Sequence, residues 1–381
     1  MSPEAVDSSG SESEPLESDT SYKLIAEAKF DPPTTAHDEV MVHVREEKNW
    51  YPASSPASMN VPTVLIGDNK AGVLYGIFVR LADGQIATSG LWANSEPLDK
   101  PWQQIATSYQ PCTGQPGQGV PPHMLTSSGV YFDDALYLIG GSVVVNGQVS
   151  NETWMLSLSS ESKTWQQLNC GDNELQERSG QTVLVYNDAI WMLGGYDVFS
   201  NPLGDVWAFE NSAWHQKADM KVERGLLAAV AIDNSDLLVF GGFSGYQQQP
   251  YSDLWKWDGS NWSKQTFNHA LQTTAFTSFA LQQRPLDQTL YLMASRISNS
   301  GRTSQMWQID DKDSGWLRSP VYSDMSWSLS DLNYSSVRST NFSGVIWVYA
   351  LGVDSSWPQK LIGNTAMYYF VPSPPQTGID R

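Results

Sequence analysis

Two arginines stand at equivalent positions of a repeated pattern and are suited to binding an anionic or carbonyl-rich ligand. Arg178 lies in the segment ERSGQ, and Arg224 lies in ERGLL. A guanidinium group presents five N–H donors in a planar fork that can clamp a carboxylate. The alternative is that each arginine bonds the backbone of a neighbouring repeat, or the glutamate that precedes it. The sequence identifies no catalytic residue.

Two loop-like segments rich in aromatic and amide side chains lie near these arginines in the repeat. They are YDVFSNPLG at 196–204 and FSGYQQQPYS at 243–252. Such side chains both stack and form hydrogen bonds, which suits a peptide, a sugar or a polycyclic small molecule. The alternative is a solvated loop whose aromatic rings pack on the rim of the fold. Within these two segments the candidate ligand-binding residues are Tyr196, Asp197, Phe199, Phe243, Tyr246 and Tyr251.

Composition and motifs narrow the classes of function. The 381-residue chain has 41 acidic and 22 basic residues, a net charge of −19, which argues against a protein that tracks nucleic-acid phosphates. Its five histidines form no close ligand pair, and no nucleotide-binding or hydrolase motif occurs, so we expect no metal and no cofactor. No apolar stretch is long enough to cross a membrane and no export signal is visible. These features predict a cytoplasmic monomer without membrane insertion.

The cysteines and the glycosylation sequons leave the compartment open. Cys112 and Cys170 form either one bridge or two free thiols. Four Asn-x-Ser/Thr sequons, at Asn151, Asn261, Asn333 and Asn341, are close to chance for so serine-rich a chain and do not establish secretion.

A repeat must position the candidate residues. Four apolar residues, a glycine doublet and a later tryptophan recur as LYLIGG at 136–141 with Trp154, IWMLGG at 190–195 with Trp207, and LLVFGG at 237–242 with Trp255. A second tryptophan follows each, at 165, 214 and 262. The pattern predicts a four-stranded antiparallel sheet per repeat, with glycines allowing positive φ where the second strand ends. One large aromatic residue per repeat is best explained by packing between sheets, not by sugar binding.

Radial packing of such sheets buries both of their faces and predicts an all-β propeller. Counting the second tryptophan of each repeat gives six markers, Trp50, Trp102, Trp165, Trp214, Trp262 and Trp316, and hence six four-stranded blades, with seven as the main alternative. Trp50 lies too early to have three preceding strands, so we expect the N-terminal strand to complete the C-terminal blade and close the ring. The expected domains are a disordered acidic tail at 1–21, a single propeller at 22–371 and a flexible end at 372–381.

The glycine doublet with its spaced tryptophan pair resembles the Kelch repeat of the galactose oxidase and Kelch-like propeller superfamily. The resemblance is strong over 123–266 and weak elsewhere, because VLYGIFVR, LYLMAS and IWVYALG stand where three doublets are expected. It implies a Kelch-type β-propeller whose loops before each first strand, and after each glycine doublet, share one face around a central channel. On this sequence the resemblance also implies ligand-binding candidates His123, Arg178 and Arg224 at first-strand entries, with Arg296 and Arg302 in the corresponding loop of a weaker repeat.

Three functions are compatible with such a scaffold. The first is a binding module that recognises a ligand or a protein segment at this face. The second is a stand-alone, metal-independent and cofactor-free enzyme, an isomerase, mutarotase or cyclase acting on a small molecule or secondary metabolite in the channel mouth, rather than a hydrolase or oxidase. The third is a carbohydrate-binding lectin.

Overall fold

A computed structural model describes residues 22–25, 43–46, 49–53, 55–56, 61–82, 85–95, 101–122, 127–142, 149–171, 175–232, 236–245, 250–265, 276–283, 290–298, 301–309, 325–327, 334–342, 345–353 and 366–371. Their regular secondary structure consists of β-strands. No helix within these ranges has the length and apolar character needed to cross a membrane. The acidic segment 1–21 and the C-terminal segment 372–381 lie outside the described residues.

Twenty-eight strands are described. The first half are β1 Tyr22–Ile25, β2 His43–Glu46, β3 Asn49–Pro52, β4 Val61–Asp68, β5 Val73–Ala82, β6 Gln85–Ser95, β7 Gln103–Ile105, β8 Ser108–Gln110, β9 Gly117–Gln118, β10 Ser128–Phe132, β11 Ala135–Ser142, β12 Val149–Ser157, β13 Thr164–Gln167 and β14 Thr182–Tyr186. The second half are β15 Ala189–Tyr196, β16 Pro202–Glu210, β17 Ala213–Gln216, β18 Ala228–Ile232, β19 Asp236–Phe240, β20 Leu254–Trp257, β21 Trp262–Gln265, β22 Phe276–Gln283, β23 Leu290–Ser298, β24 Gly301–Ile309, β25 Met325–Trp327, β26 Tyr334–Phe342, β27 Val345–Val353 and β28 Ala366–Val371.

The fold is an all-β propeller of small antiparallel sheets, in which four blades are distinct. Consecutive strands pair in the orders β4-β5-β6-β7, β14-β15-β16-β17, β18-β19-β20-β21 and β22-β23-β24-β25. The order β10-β11-β12-β13 recurs in a sheet that β8 and β9 extend at its outer edge, and β1 and β2 form a separate pair. The four-stranded repeat predicted from the sequence is therefore present.

The N-terminal strand β3 pairs with the C-terminal strand β28. The two are antiparallel, with Trp50 opposite Phe370 and Tyr51 opposite Tyr369, and they complete the sheet β26-β27-β28-β3. This pairing joins the two ends of the chain within one sheet, as expected, and it covers the edge that β28 would otherwise leave unpaired.

The glycine doublets of β11 and β15 interrupt a strand ladder and bring the next sheet close. The pairing of β15 with β16 shifts register between Leu193 and Gly195, and the Gly195 N–H donates to the carbonyl oxygen of Arg224, 3.0 Å away. Gly194 has a φ of +56°, and a Cβ atom there would collide with the same carbonyl oxygen. Gly141 likewise donates to the Arg178 carbonyl oxygen at 3.1 Å. Glycine is therefore needed for both conformation and space.

The hydrophobic core lies between neighbouring sheets. One apolar cluster joins residues of β4 and β5 to residues of β11, β12 and β13, and another joins β11 to β15, β16 and β17. The buried tryptophans take part as predicted. The Trp214 indole nitrogen donates to the Thr153 hydroxyl of the preceding sheet at 2.9 Å, and that of Trp262 donates to the Ala218 carbonyl at 3.0 Å. Each of these two tryptophans therefore links its own sheet to the preceding repeat by a hydrogen bond.

A disulfide between Cys112 and Cys170 resolves the choice that the sequence left open. Cys112 follows β8 and Cys170 follows β13, and these two strands pair in parallel. The Ser108 and Thr164 hydroxyls share a hydrogen bond of 2.8 Å along this ladder. The bridge thus fixes the β8–β9 extension to the outer edge of its sheet.

Candidate functional site

We call one end of the sheets the loop face. It carries the loop from β15 to β16, the loop from β19 to β20, and the segments that lead into β14 and β18. Since strand direction alternates within each sheet, these connections share an end, and the tight β14–β15 turn lies at the other. Most of the candidate residues from the sequence fall on this face.

Arg178 is fully buried and is paired within its own sheet. Its guanidinium donates two parallel hydrogen bonds of 2.6 Å to the two carboxylate oxygens of Asp205. The same group donates to the Gly194 carbonyl oxygen at 3.2 Å, and Nε donates to the Gln176 carbonyl oxygen at 3.1 Å. The acceptors of all four of these hydrogen bonds belong to the protein itself, so these N–H groups are not directed toward solvent.

Arg224 repeats this arrangement in the next sheet. It contacts both carboxylate oxygens of Asp253 at 2.8 and 3.2 Å and donates to the Gly241 carbonyl oxygen at 2.8 Å. Burial by itself would raise the pKa of the Asp253 carboxyl, but the hydrogen bond and charge of Arg224, with a hydrogen bond from Trp255, outweigh it and hold that pKa below its usual value. The Arg224 guanidinium also lies 4.5 Å from the ring centre of Tyr251.

The two arginines therefore organise the loop face from inside. Their backbone carbonyls receive the glycine N–H groups of the preceding sheet, while their side chains bind the carboxylate two residues before the third-strand tryptophan. The side chains bond neither the preceding glutamate nor the neighbouring sheet, which were the alternatives considered from the sequence.

Sequence reasoning missed Asp205 and Asp253. Their signal is an acidic residue two positions before the tryptophan of β12, β16 and β20, at Glu152, Asp205 and Asp253. In each case the tryptophan indole nitrogen donates to that carboxylate, at 2.9, 2.6 and 2.7 Å respectively. The recurrence of the acid with the tryptophan could have identified the partner of each arginine.

The loop from β15 to β16 presents an exposed phenylalanine on a rigid backbone. One Asp197 carboxylate oxygen accepts the N–H groups of Phe199 and Asn201, both at 2.8 Å, and the other accepts the Asn201 side-chain amide at 3.0 Å. The Asp197 N–H donates in turn to the Asn201 carbonyl oxygen at 3.0 Å. Asp197 is buried, whereas Phe199 is 80% exposed and Val198 41% exposed.

Tyr196 connects this loop to the next sheet. It is buried, its backbone pairs with Ser179, and its hydroxyl donates to the Phe243 carbonyl oxygen at 3.2 Å. Burial raises the pKa of this hydroxyl well above its usual value, which keeps it a protonated donor. Phe243 and Tyr251 are half-buried beside it. The loops of adjacent sheets are thus joined into one continuous surface.

Four candidates fall elsewhere. His123 and Tyr246 lie outside the described residues. The expectation that Arg296 and Arg302 occupy a loop is corrected, because Arg296 lies within β23 and Arg302 within β24. The two strands pair without a register shift from Leu290 opposite Ile309 to Ser298 opposite Gly301. Since this sheet has no glycine doublet to interrupt the ladder, its strands continue through the positions that form a loop elsewhere.

The described part of the site is a preorganised surface of aromatic and backbone groups. Within the ranges the structure covers, no group of three or more His, Cys, Asp or Glu side chains is placed to hold a metal ion. Comparison of the chain with protein-family models and with curated proteins finds no match. The geometry of the loop face is therefore the basis for assigning a function.

Proposed function

We propose that the protein is a six-bladed, Kelch-type propeller that acts as a binding scaffold and recognises a protein segment at its loop face, with Phe199 as the anchoring side chain. A propeller scaffold is consistent with such a role, and the exposed Phe199 on a backbone held by Asp197 is the observation that carries the proposal.

Sheet composition supports the blade count. Besides the sheets that follow the plain order of four consecutive strands, the sheets β10-β11-β12-β13 and β26-β27-β28-β3 each supply four strands to the same series. The Kelch assignment is supported by the glycine doublets in β11 and β15, each of which donates to the arginine carbonyl of the following repeat.

Most of the Phe199 side chain is in contact with water, so a partner that covered it would bury apolar surface. Full burial of a phenylalanine side chain is worth about 1.5–3 kcal/mol, and the neighbouring residues offer no such burial because Asp197 holds the loop outward. An aromatic side chain on a backbone that is already ordered loses little entropy on binding, which is the usual property of an interface anchor. A partner that covers Phe199 would gain that burial.

Charge indicates which segments would bind. Arg178 and Arg224 are buried and neutralised by aspartates, and the segments that lead into β14 and β18 expose three carboxylates, of Glu177, Asp219 and Glu223, and one ammonium group, of Lys221. The exposed charges of these two segments are therefore net negative. We expect a partner segment that places an apolar side chain against Phe199 and carries lysine or arginine nearby, with an association rate that falls as salt is added.

A peptide-display selection tests the proposal directly. The immobilised protein is used to select binders from a random peptide library displayed on phage, and the affinities of the selected peptides are then measured by calorimetry. The Phe199→Ser variant should lose about 2 kcal/mol or more of binding free energy, the range typical of an anchoring residue. The matched control is His215→Ser, since His215 is exposed on β17 of the same sheet.

The result also separates the competing functions. If selected peptides bind wild type and Phe199→Ser equally, the proposed site is incorrect. If no peptide is selected but a metabolite or sugar from a compound library raises the melting temperature, a small-molecule enzyme or lectin replaces the binding scaffold, because a ligand that binds only the folded state stabilises it by mass action.

A further inference from the structure

The disulfide points to an oxidising compartment. Cys112 and Cys170 are bonded with their Cα atoms 5.4 Å apart, and neither is buried. The Cys112 N–H donates to the Gln167 side-chain oxygen at 2.9 Å, so the cysteine backbone is held in place by the strand that its partner follows. Disulfides persist in secreted proteins and in the lumen of the secretory pathway, and are rare in the reducing cytosol. The cytoplasmic location expected from the sequence is therefore at odds with this bond.

The secretory pathway is also where Asn-x-Ser/Thr sequons receive glycans, and the structure distinguishes between two of the four sequons of this chain. Asn333 lies outside the described residues, and Asn341 lies within β26, paired with Ile346 of β27. The side chains of Asn151 and Asn261 are both described, and they differ in exposure and in hydrogen bonding.

Asn151 is engaged in the fold. Its side-chain amide nitrogen, the atom that would carry a sugar, donates to the Leu175 carbonyl oxygen at 2.8 Å, and its backbone carbonyl oxygen accepts from the Asn169 side-chain amide at 2.7 Å. The third residue of its sequon, Thr153, is completely buried and receives the Trp214 indole hydrogen bond. A glycan on Asn151 would have to be attached to the nitrogen that bonds Leu175, within a sequon whose other contacts are also made in the fold.

Asn261 is presented on a tight turn between β20 and β21. One carboxylate oxygen of Asp258 accepts the N–H groups of Ser260 at 2.9 Å and Asn261 at 2.8 Å, while Gly259 has a φ of +92°. Asn261 and the third sequon residue, Ser263, are exposed, whereas Trp262 between them is buried. The alternation of the strand thus directs the acceptor asparagine to solvent and the tryptophan into the core.

From these two observations we infer that the chain passes through an oxidising secretory compartment and carries an N-linked glycan on Asn261 but not on Asn151. The reaction joins the Asn261 side-chain nitrogen to the anomeric carbon of a lipid-diphosphate-linked oligosaccharide. The new C–N bond replaces the bond from that carbon to the diphosphate oxygen, the lipid diphosphate leaves with the electron pair, and the amide nitrogen loses one proton. A glycan at this position extends from the end of the sheets opposite the loop face, so it leaves Phe199 accessible.

Peptide mapping of the full chain from cells that make it naturally is the test. The protein is treated with peptide N-glycosidase in heavy-oxygen water, which converts a glycosylated asparagine into a labelled aspartate. We expect label at position 261 and unmodified asparagine at 151. Unmodified Asn261 throughout the sample would overturn the proposed site, and label at Asn151 would overturn the structural discrimination between the sequons.

Two further measurements address each premise separately. Alkylation of the denatured, unreduced protein should leave Cys112 and Cys170 unmodified, and alkylation of both would remove the argument for an oxidising compartment. In secreted expression, Asn261→Gln should abolish the glycosidase-sensitive change in gel mobility, whereas Ser260→Ala, which leaves the sequon intact, should keep it. A mobility change that persists in Asn261→Gln would also contradict the proposal.

Discussion

The guanidinium of Arg178, which is wholly removed from solvent, binds the carboxylate of Asp205 through two parallel hydrogen bonds of 2.6 Å. This pair joins the segment before β14 to the third strand of the same sheet. Because the arginine carbonyl also receives the Gly141 N–H of the preceding sheet, one residue connects two sheets at the loop face.

Replacing Arg178 with alanine should therefore destabilise the protein strongly. The change leaves the Asp205 carboxylate and the Gly194 carbonyl without their charged partner, and breaking a buried pair from one side typically costs about 3–5 kcal/mol. Since Asp205 retains some exposure, we expect a loss near the lower end, about 3 kcal/mol, in denaturant-induced unfolding.

The same variant tests the ligand role that the sequence suggested for Arg178. Full stability of Arg178→Ala combined with lost ligand binding would favour that role. Arg178→Lys should recover only part of the stability, because an ammonium group lacks the planar fork needed to bind both Asp205 oxygens.

The pairing of Asp253 predicts how stability depends on pH. The pKa of this carboxyl is lower in the folded protein than in the unfolded chain, where it is about 3.9. The folded state thus gains stability that is fully present above that value and is lost as the pH falls through the folded pKa. Asp253→Asn should be less stable than wild type at neutral pH and should lose less stability on acidification below about pH 4, measured by urea unfolding across the pH range.

Removal of an exposed carboxylate serves as the control for Asp253. Glu161 is exposed in the turn between β12 and β13, so Glu161→Gln should leave the acid dependence of stability close to that of wild type. An Asp253→Asn variant with an unchanged acid dependence would contradict the proposed coupling between Arg224 and Asp253.

Substitutions at Gly194 and Gly72 distinguish the cost of a strained backbone conformation from the cost of a steric clash. Both have positive φ, +56° and +65°, but a Cβ atom at Gly194 would collide with the Arg224 carbonyl oxygen, whereas one at Gly72 would meet nothing within 4 Å. Gly72→Ala should cost about 1 kcal/mol from the left-handed conformation alone. Gly194→Ala should cost at least about 2 kcal/mol more, because the neighbouring sheet must move. Equal losses in thermal unfolding of the two variants would disprove this account.

The glycine doublets also show how far the sequence could predict the fold. They marked where the ladder is disturbed, because positive φ and close approach are requirements that only glycine satisfies well. The expected strand end is right for β19, which ends at Phe240, but wrong for β11 and β15, which continue through a register shift to Ser142 and Tyr196. The doublet-free segment LYLMAS contains no such local signal. Its strands β23 and β24 run on in unbroken register, and so Arg296 and Arg302 were placed in a loop incorrectly.

The site was less predictable because its determinants are pairs distant in sequence. Arg178 and Asp205 are 27 residues apart, and Arg224 and Asp253 are 29 apart. Residue type alone does not tell a buried structural guanidinium from an exposed ligand-binding one, since both use the same donors. The exposure of Phe199 likewise depends on Asp197 turning its carboxylate toward the loop backbone, which only the folded geometry reveals.

Loss of the Cys112–Cys170 bridge should lower stability without changing the loop face. The bridge spans 58 residues of sequence, for which the chain-entropy model gives about 4 kcal/mol. We expect the double variant Cys112→Ser, Cys170→Ser to unfold at lower denaturant concentration than wild type, with peptide affinity at Phe199 unchanged. A weakened affinity would show that the β8–β9 extension is coupled to the loop face.

Asp197 should control the rigidity of the Phe199 loop. Replacing it with alanine removes the carboxylate that accepts hydrogen bonds from the Phe199 and Asn201 backbone N–H groups and from the Asn201 side-chain amide. Hydrogen bonds to charged groups contribute about 1.5–3 kcal/mol each, so the Phe199 and Asn201 amides should exchange with solvent deuterium at least about tenfold faster. Amides bonded elsewhere in this sheet, such as that of Lys217, which donates to the Val206 carbonyl oxygen at 2.8 Å, should exchange at unchanged rates, because their bonds do not involve Asp197. Faster exchange across the whole sheet would instead mean that Asp197 supports the fold, and unchanged exchange at Phe199 would mean that the loop is held by other contacts.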